Sequence, residues 1–222
     1  MTPLKCLIFN CTLKPSPAES NTQGLIDGFT SVIGPLGVEC ETVRVVDHPV
    51  RFGSSSDEGD GDAWPALLEK CLACDILVVA TPIWIGDRAS VAKMVAERLD
   101  ATTYATDDRH QHPMYGKVGG ALVTGEADGA QHAMSQILYD MTIAGLTVPP
   151  NADAYWVGGA GGPGTPYKKK DGDAYFFVNQ RVRWMAHNLV HLAKTLATNP
   201  YPTNLDALDD EAKAVSSREL PE

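Results

Sequence analysis

The sequence predicts a doubly wound parallel α/β fold, in which helices cover both faces of one sheet. Two observations predict this class. Short apolar runs of strand length alternate with amphipathic helical patterns along most of the 222 residues, and strands joined through single helices form parallel sheets. Residues 75–80 (DILVVA) are apolar on both faces of a strand, which is typical of the centre of a parallel sheet.

The first two strands are predicted on either side of a helix. Residues 4–10 (LKCLIFN) form the first apolar run, and residues 38–46 alternate between a drier and a wetter face. Between them, residues 22–33 place apolar side chains at helical spacing, and Gly34-Pro35 ends the helix.

The remaining elements continue this alternation. A helix over residues 64–74 follows Asp62 as its N-cap, with Pro65 tolerated in the first turn. The further predicted segments are a helix over residues 90–99, a strand over 117–124, a helix over 127–144 ended by Gly145, a fifth strand region flanked by 146–148 and 154–157, and a closing helix over 174–197.

Five such units in roughly 200 residues predict a five-stranded sheet in the flavodoxin-like order 2-1-3-4-5. In this order the winding direction reverses between strands 1 and 3, and ligands bind in the crevice at their carboxyl ends. We expect one domain over residues 1–198. Residues 199–222 are polar and acidic with weak periodicity, and they predict a surface arm or a poorly ordered end.

The composition argues against several classes of partner. The 18 Lys and Arg against 28 Asp and Glu give a formal net charge of −10, which disfavours binding to nucleic-acid phosphates. No apolar run approaches the roughly 20 residues of a membrane-spanning helix, and the first residues do not resemble a secretory signal. Because the five cysteines have no dense spacing, we expect reduced thiols in a cytoplasmic protein. From the charge and the apolar runs, we expect that it binds neither nucleic acid nor membrane.

A long loop between the first strand and the first helix predicts a phosphate site. The loop runs into a helix N-terminus, where unpaired N–H groups and the helix dipole attract anions. Hydroxyl and amide donors and one cation surround this point, namely Thr12, Lys14, Ser20, Asn21 and Thr22. The alternative is that Ser20 or Asn21 only caps the helix.

The segments Cys11-Thr12-Leu13-Lys14 and Ser20-Asn21-Thr22 resemble the G-S-x-R…S-N-T phosphate loop of NADPH-dependent FMN reductases and related flavodoxin-like NAD(P)H:quinone oxidoreductases. Cys11 stands where that family often has Gly. Lys14 stands where it often has Arg, so the charge is kept but the bidentate fork is lost. The resemblance spans roughly residues 4–198, and it implies that this loop holds the phosphate of FMN.

The loop after the third strand is similar to the T-P-x-Y/W-x-G loop that holds the isoalloxazine ring in the same family. It contributes Pro82, Ile83, Trp84, Ile85 and Gly86. One aromatic and two β-branched side chains offer a flat apolar wall, while Pro and Gly restrict the backbone. The alternative is that Trp84 is an ordinary core residue.

The loop after the fourth strand resembles the family's T-x-G-x-G-type turn against the pyrimidine edge of the flavin. It contributes Thr124, Gly125, Glu126, Asp128 and Gly129, and backbone N–H groups of such a turn stabilise negative charge on the reduced ring. The alternative is a turn that binds no ligand.

A further segment, residues 162–167 (GPGTPY), resembles the G-x-x-T-P-Y segment of quinone reductases of the tryptophan-repressor-binding-protein type. Those enzymes often carry a His where this chain has Ala144.

No metal site is predicted. Cys71 and Cys74 lie at the end of a helix without a second ligand pair, and His187 and His191 lie one turn apart without a third ligand. Residues 57–62 lack the glutamate of a calcium loop and predict a flexible acidic loop.

These features predict an FMN-dependent oxidoreductase that passes a hydride from NAD(P)H through bound FMN to a quinone, a flavin or a similar small-molecule acceptor. Since the flavin carries the chemistry, no side chain is assigned as catalytic acid, base or nucleophile. Two alternatives remain open: a flavodoxin-type electron carrier without NAD(P)H oxidase activity, and a flavodoxin-like binding module that has lost the cofactor. The resemblance also implies a homodimer or homotetramer.

Overall fold

The computed structural model describes residues 3–126, 128–158, 165–170 and 172–218. The strands of this part of the chain are β1 (Leu4–Asn10), β2 (Val38–Arg44), β3 (Ile76–Trp84), β4 (Asp87–Arg88), β5 (Val118–Thr124) and β6 (Asp153–Trp156). Its helices are α1 (Asn21–Ile33), α2 (Trp64–Ala73), α3 (Ser90–Asp100), α4 (Ala130–Ile143), α5 (Phe176–Thr198) and α6 (Leu205–Val215).

The five long strands form one parallel sheet in the order β2-β1-β3-β5-β6. The predicted doubly wound sheet of order 2-1-3-4-5 is therefore confirmed. One feature was not predicted. β3 continues in register with β5 as far as the pair Pro82 and Thr124, and β4 then pairs with β3 in antiparallel fashion. The segment predicted as a simple loop is thus a hairpin with Ile85 and Gly86 at its tip.

The sheet lies between two apolar layers. Leu7 and Phe9 of β1 face a layer formed with α2, α3 and α4. Cys6 and Ile8 face the layer formed with α1 and α5. Because successive strand residues point to opposite faces, this alternation buries β1 on both sides of the sheet.

Three predicted boundaries are corrected. α4 begins at Ala130 rather than at residue 127, because Gly129 precedes it with a φ of +117° that does not continue a right-handed helix. The fifth strand is Asp153–Trp156, while Thr147 makes only an isolated bridge to Val118. The N-cap of α2 is Ala63 rather than Asp62, although the Asp62 carboxylate accepts a hydrogen bond from the N–H of Trp64.

The last residue of the predicted flexible acidic loop, residues 57–62, is anchored in the interior, which the sequence did not reveal. Asp62 and Arg98 form an ion pair of 2.7 Å in which both side chains are fully buried. Arg98 also donates to the carbonyl oxygens of Arg51 and Ser55. Burial raises the pKa of Asp62, but the guanidinium and three backbone N–H groups outweigh it and hold that pKa well below its ordinary value.

The polar arm after α5 contains a helix that the weak periodicity did not reveal. α6 has no buried residue, and its N-cap Asn204 accepts from the N–H of Ala207. The arm is attached to the 105–112 loop, since Gln111 donates to two arm carbonyl groups and His110 pairs with Asp206 at 2.7 Å. None of the helices in the described ranges combines the length and the apolar character needed to cross a bilayer.

Candidate functional site

Three loops meet in one cleft of about 540 Å³ at the carboxyl ends of β1, β3 and β5. This is the point at which the winding of the sheet reverses. Of the predicted site residues, the cleft is lined by Thr12, Lys14, Ser20, Asn21, Thr22, Pro82, Ile83, Trp84, Ile85, Gly86, Thr124, Gly125 and Glu126. Leu13, Pro166 and Tyr167 complete the lining, whereas the predicted residues Asp128 and Gly129 do not line it.

The first loop presents free backbone donors at the start of α1. Ser20 is the N-cap, and its Oγ accepts from the N–H of Gln23 at 3.1 Å, as the alternative prediction proposed. Within the described ranges, the N–H groups of Asn21 and Thr22 have no acceptor. Both N–H groups lie at the positive end of the α1 helix dipole, so an anion bound at the start of α1 receives two hydrogen bonds.

Several of the other polar groups of this loop already have partners. The hydroxyl groups of Thr22 and Thr124 lie 2.9 Å apart, so they join the first and third loops. The Oδ1 of Asn21 accepts from the N–H of Lys168. Lys14 Nζ donates to the carbonyl oxygen of Glu19 at 3.4 Å, a long contact that an anion in the cleft can replace.

Arg44 at the end of β2 and Asp47 three residues further on hold the first loop, and the sequence reasoning missed both. Arg44 donates to the carbonyl oxygen of Ala18 at 2.9 Å and lies 3.5 Å from that of Lys14. Asp47 accepts from the N–H and the hydroxyl of Ser16, and these bonds hold its pKa below the ordinary value. The available signal was that β2 neighbours β1, which places its carboxyl end beside the loop.

The hairpin after β3 exposes an apolar wall. Trp84 is 55% exposed, so it is not an ordinary core residue, and Ile85 is fully exposed. Ile85 also adopts a φ of +51°. Positive φ is rare for a β-branched residue, and such strain is typical of functional sites. The hairpin therefore holds two large apolar side chains toward solvent at an energetic cost.

The hairpin is fixed against α4. Arg88 of the hairpin forms an ion pair with Asp140 of α4, and the Arg88 side chain is almost completely buried. At the tip, a Cβ added to Gly129 would lie 2.4 Å from the carbonyl oxygen of Gly86, so only glycine allows this approach. Gly129 thus positions the wall, although it does not line the cleft.

The third loop offers fewer donors than predicted. The N–H of Gly125 donates to the carbonyl oxygen of Trp156 at 2.8 Å and is not free for a ligand. The N–H of Glu126 has no acceptor among the described residues, and its side chain is exposed at the cleft. Asp128 is exposed beside it.

Tyr167 closes the cleft from the side of α1. Its ring lies against Gly24, where an added Cβ would be 3.0 Å from Cδ1, and it meets the Trp156 ring edge-on at 5.9 Å. Burial raises the pKa of Tyr167 to about 12, so the phenol stays neutral. Residues 162–164 of the predicted glycine-rich segment lie outside the described residues.

In the described part of the chain, no group of three or more His, Cys, Asp and Glu side chains is placed to hold a metal ion.

Known proteins resemble this chain over most of its length. It is 42% identical over 223 residues to the 8-demethyl-8-aminoriboflavin-5'-phosphate synthase of Streptomyces davaonensis, which covers 96% of this chain and 86% of that protein. It is 40% identical over 199 residues to a Mycobacterium bovis protein described as the divalent metal cation transporter MntH. That match covers 87% of this chain but only 29% of the transporter.

The crystal structure of RosB with bound 8-demethyl-8-formylriboflavin-5'-phosphate superimposes with a TM-score of 0.90 at 40% identity. It covers 99% of this chain and 90% of RosB. The sequence pattern of NADPH-dependent FMN reductases matches residues 4–160, which include all three loops of the cleft. The chain belongs to the NADPH-dependent FMN reductase family.

Proposed function

We propose that the chain binds FMN in the three-loop cleft and acts as an NAD(P)H-dependent oxidoreductase with a quinone, a flavin or a similar small molecule as acceptor. One observation carries this proposal. A single cleft combines free N–H groups at a helix N-terminus with an exposed, strained apolar wall. A ligand with an anionic end and a flat apolar ring satisfies both.

The phosphate end of FMN fits the first loop. The N–H groups of Asn21 and Thr22 supply two donors. Thr12, with its hydroxyl, and Lys14, with its ammonium group, line the same cleft. A phosphate monoester carries up to two negative charges, which the helix dipole and one lysine favour. The cleft volume of about 540 Å³ lies within the usual range of cofactor sites.

The ring of FMN fits between the second and third loops. Trp84 and Ile85 offer apolar surface that is otherwise exposed to water, and covering it is favourable. The N–H of Glu126 supplies a donor for the polar edge of the ring. When bound, FMN supplies a ring that accepts a hydride and passes it on. The chain binds and orients that ring, and the wall excludes water from one side of it.

The first test is FMN retention. After FMN addition and desalting, absorbance at about 450 nm, which belongs to the cofactor, should remain with the protein. Asn21→Leu should abolish retention, because the larger apolar side chain obstructs the anion site. Ser31→Leu, on an exposed position of the same helix, is the matched control and should retain FMN. A wild-type protein that takes up no FMN would overturn the proposal and favour the module that has lost its cofactor.

The second test is turnover. With FMN bound, NADH or NADPH should be oxidised when a quinone or free flavin is added. Retained FMN together with negligible NAD(P)H oxidation would instead favour the electron carrier.

A second candidate function follows from the full-length similarity to a flavin-modifying synthase. In this alternative, riboflavin 5'-phosphate in the cleft is a substrate that is changed at the 8-position. Mass spectrometry of the flavin after prolonged aerobic incubation distinguishes the two. Unchanged FMN after many NAD(P)H turnovers supports a cofactor, whereas consumption of FMN with a new flavin mass supports a substrate.

A further inference from the structure

Two cysteines form a pair at the edge of the sheet, far from the cleft. Cys6 in β1 and Cys40 in β2 are direct register partners in neighbouring parallel strands, and β2 is the edge strand. Cys6 lies four residues before the end of β1, which is about 13 Å along a strand from the carboxyl edge. The FMN reductase chemistry proposed above does not use either thiol.

The geometry of this pair suits a cross-link. Register partners in parallel strands direct their side chains to the same face of the sheet. Neighbouring strands lie about 4.8 Å apart, within the roughly 4.4–6.8 Å between Cα atoms that a disulfide spans. Both residues also line one cleft at the edge of the sheet.

The two thiols differ in exposure and reactivity. Cys40 is exposed at the sheet edge, whereas Cys6 is only 2% exposed. The neighbouring Cys6 thiol lowers the pKa of Cys40, so Cys40 is the better nucleophile. The neighbouring Cys40 thiol and burial raise the pKa of Cys6.

The other three cysteines are less accessible than Cys40. Cys11, Cys71 and Cys74 are buried, and burial raises the pKa of each thiol. Beside Cys40, a cleft of about 330 Å³ gives a small oxidant access. The charged residues of its lining are Lys5, Lys70, Glu39 and Glu41, and Cys74 also lines it but is only 4% exposed.

We propose that Cys40 and Cys6 form a peroxide-sensitive pair that closes to a disulfide between β1 and β2. Hydrogen peroxide oxidises the Cys40 thiol to a sulfenic acid, and one water is released. The Cys6 sulfur then attacks the Cys40 sulfur and displaces the hydroxyl group as a second water. Overall, two thiols lose two hydrogen atoms and two electrons, and one peroxide is reduced to two waters.

The test is oxidation of the full chain by a small excess of hydrogen peroxide, followed by alkylation of remaining thiols under denaturing conditions. Before alkylation, we expect the intact mass to be lower by two hydrogens than that of the reduced protein. After alkylation, three of the five cysteines should carry the label, and digestion should yield a peptide product in which Cys6 is linked to Cys40. Bound FMN should be retained, since the pair lies away from the cleft.

Variants separate the two steps. Cys40→Ser, on an exposed position, should reduce the linked peptide to background. Cys6→Ser should leave a sulfenic acid at Cys40 that dimedone traps. Cys74→Ser is the matched control and should cross-link like the wild type.

Three results would overturn the proposal. The first is a wild-type sulfenic acid at Cys40 that persists without cross-linking. The second is a disulfide that joins Cys71 to Cys74. The third is a link between the Cys40 residues of two chains in place of the internal one.

Discussion

Replacing Ile85 with glycine should stabilise the FMN-free protein and weaken FMN binding at the same time. The side chain of Ile85 is fully exposed, and its φ is +51°. In the FMN-free state the residue therefore contributes backbone strain without any compensating burial. In the FMN-bound state its side chain forms part of the apolar wall.

The two effects have different magnitudes. Left-handed backbone costs an L-residue about 1–2 kcal/mol, whereas glycine costs about 0.5–1 kcal/mol through the freedom of the unfolded chain. Ile85→Gly should therefore raise the free energy of unfolding by about 0.5–1 kcal/mol. Full burial of an Ile side chain is worth about 1.5–3 kcal/mol. A ring that covers half of it gives about 1–1.5 kcal/mol, or a Kd for FMN that rises roughly tenfold in the variant.

Urea unfolding of the FMN-free protein and a fluorescence titration with FMN measure the two quantities separately. Ile85→Ala is the matched control, because it removes the contribution of Ile85 to the apolar wall but keeps the Cβ that causes most of the strain. Its FMN affinity should fall like that of the glycine variant, while its stability should change by less than about 0.5 kcal/mol. A glycine variant that unfolds more easily than the wild type, or that binds FMN equally well, would contradict the assignment of Ile85 to a strained ligand wall.

Further predictions concern the supports of the fold and the site. Gly129→Ala should lower the free energy of unfolding by about 1–3 kcal/mol and weaken FMN retention, because its Cβ would collide with Gly86. The control Gly34→Ala, with no atom within 4 Å, should do neither. Arg98→Met should cost about 3–5 kcal/mol in urea unfolding by leaving the Asp62 carboxylate buried without its cation. Because the folded-state pKa of Asp62 is depressed, its contribution is present above pH about 4 and should be lost as the pH falls further.

The helices and strands were largely predictable, because burial on a sheet imposes local periodicities that a single sequence displays. Exceptions lie where periodicity is weak. The helix α6 buries no side chain, so no apolar stripe marks it. β4 has only two residues and owes its pairing to the turn at Ile85 and Gly86.

The site followed from the order of the strands. Once strands 1 and 3 are neighbours, their following loops must meet, and thirteen of the fifteen predicted residues line one cleft. Which donors remain free was not predictable from the residue types. Thr22 and Thr124 bond to each other, and the N–H of Gly125 is taken by Trp156. Such pairings join residues about 100 positions apart in the first case and depend on packing.

The doubly wound sheet and the meeting point of its loops can be read from the sequence, since both follow from local periodicity and from the handedness of crossovers. How the loops are held depends on tertiary packing. Arg44 reaches the first loop across 26 residues, Arg98 reaches Asp62 across 36, and Cys6 and Cys40 become neighbours through strand register. Contacts of this kind arise only when distant segments pack together, because a sequence records which groups are available and not which of them become neighbours.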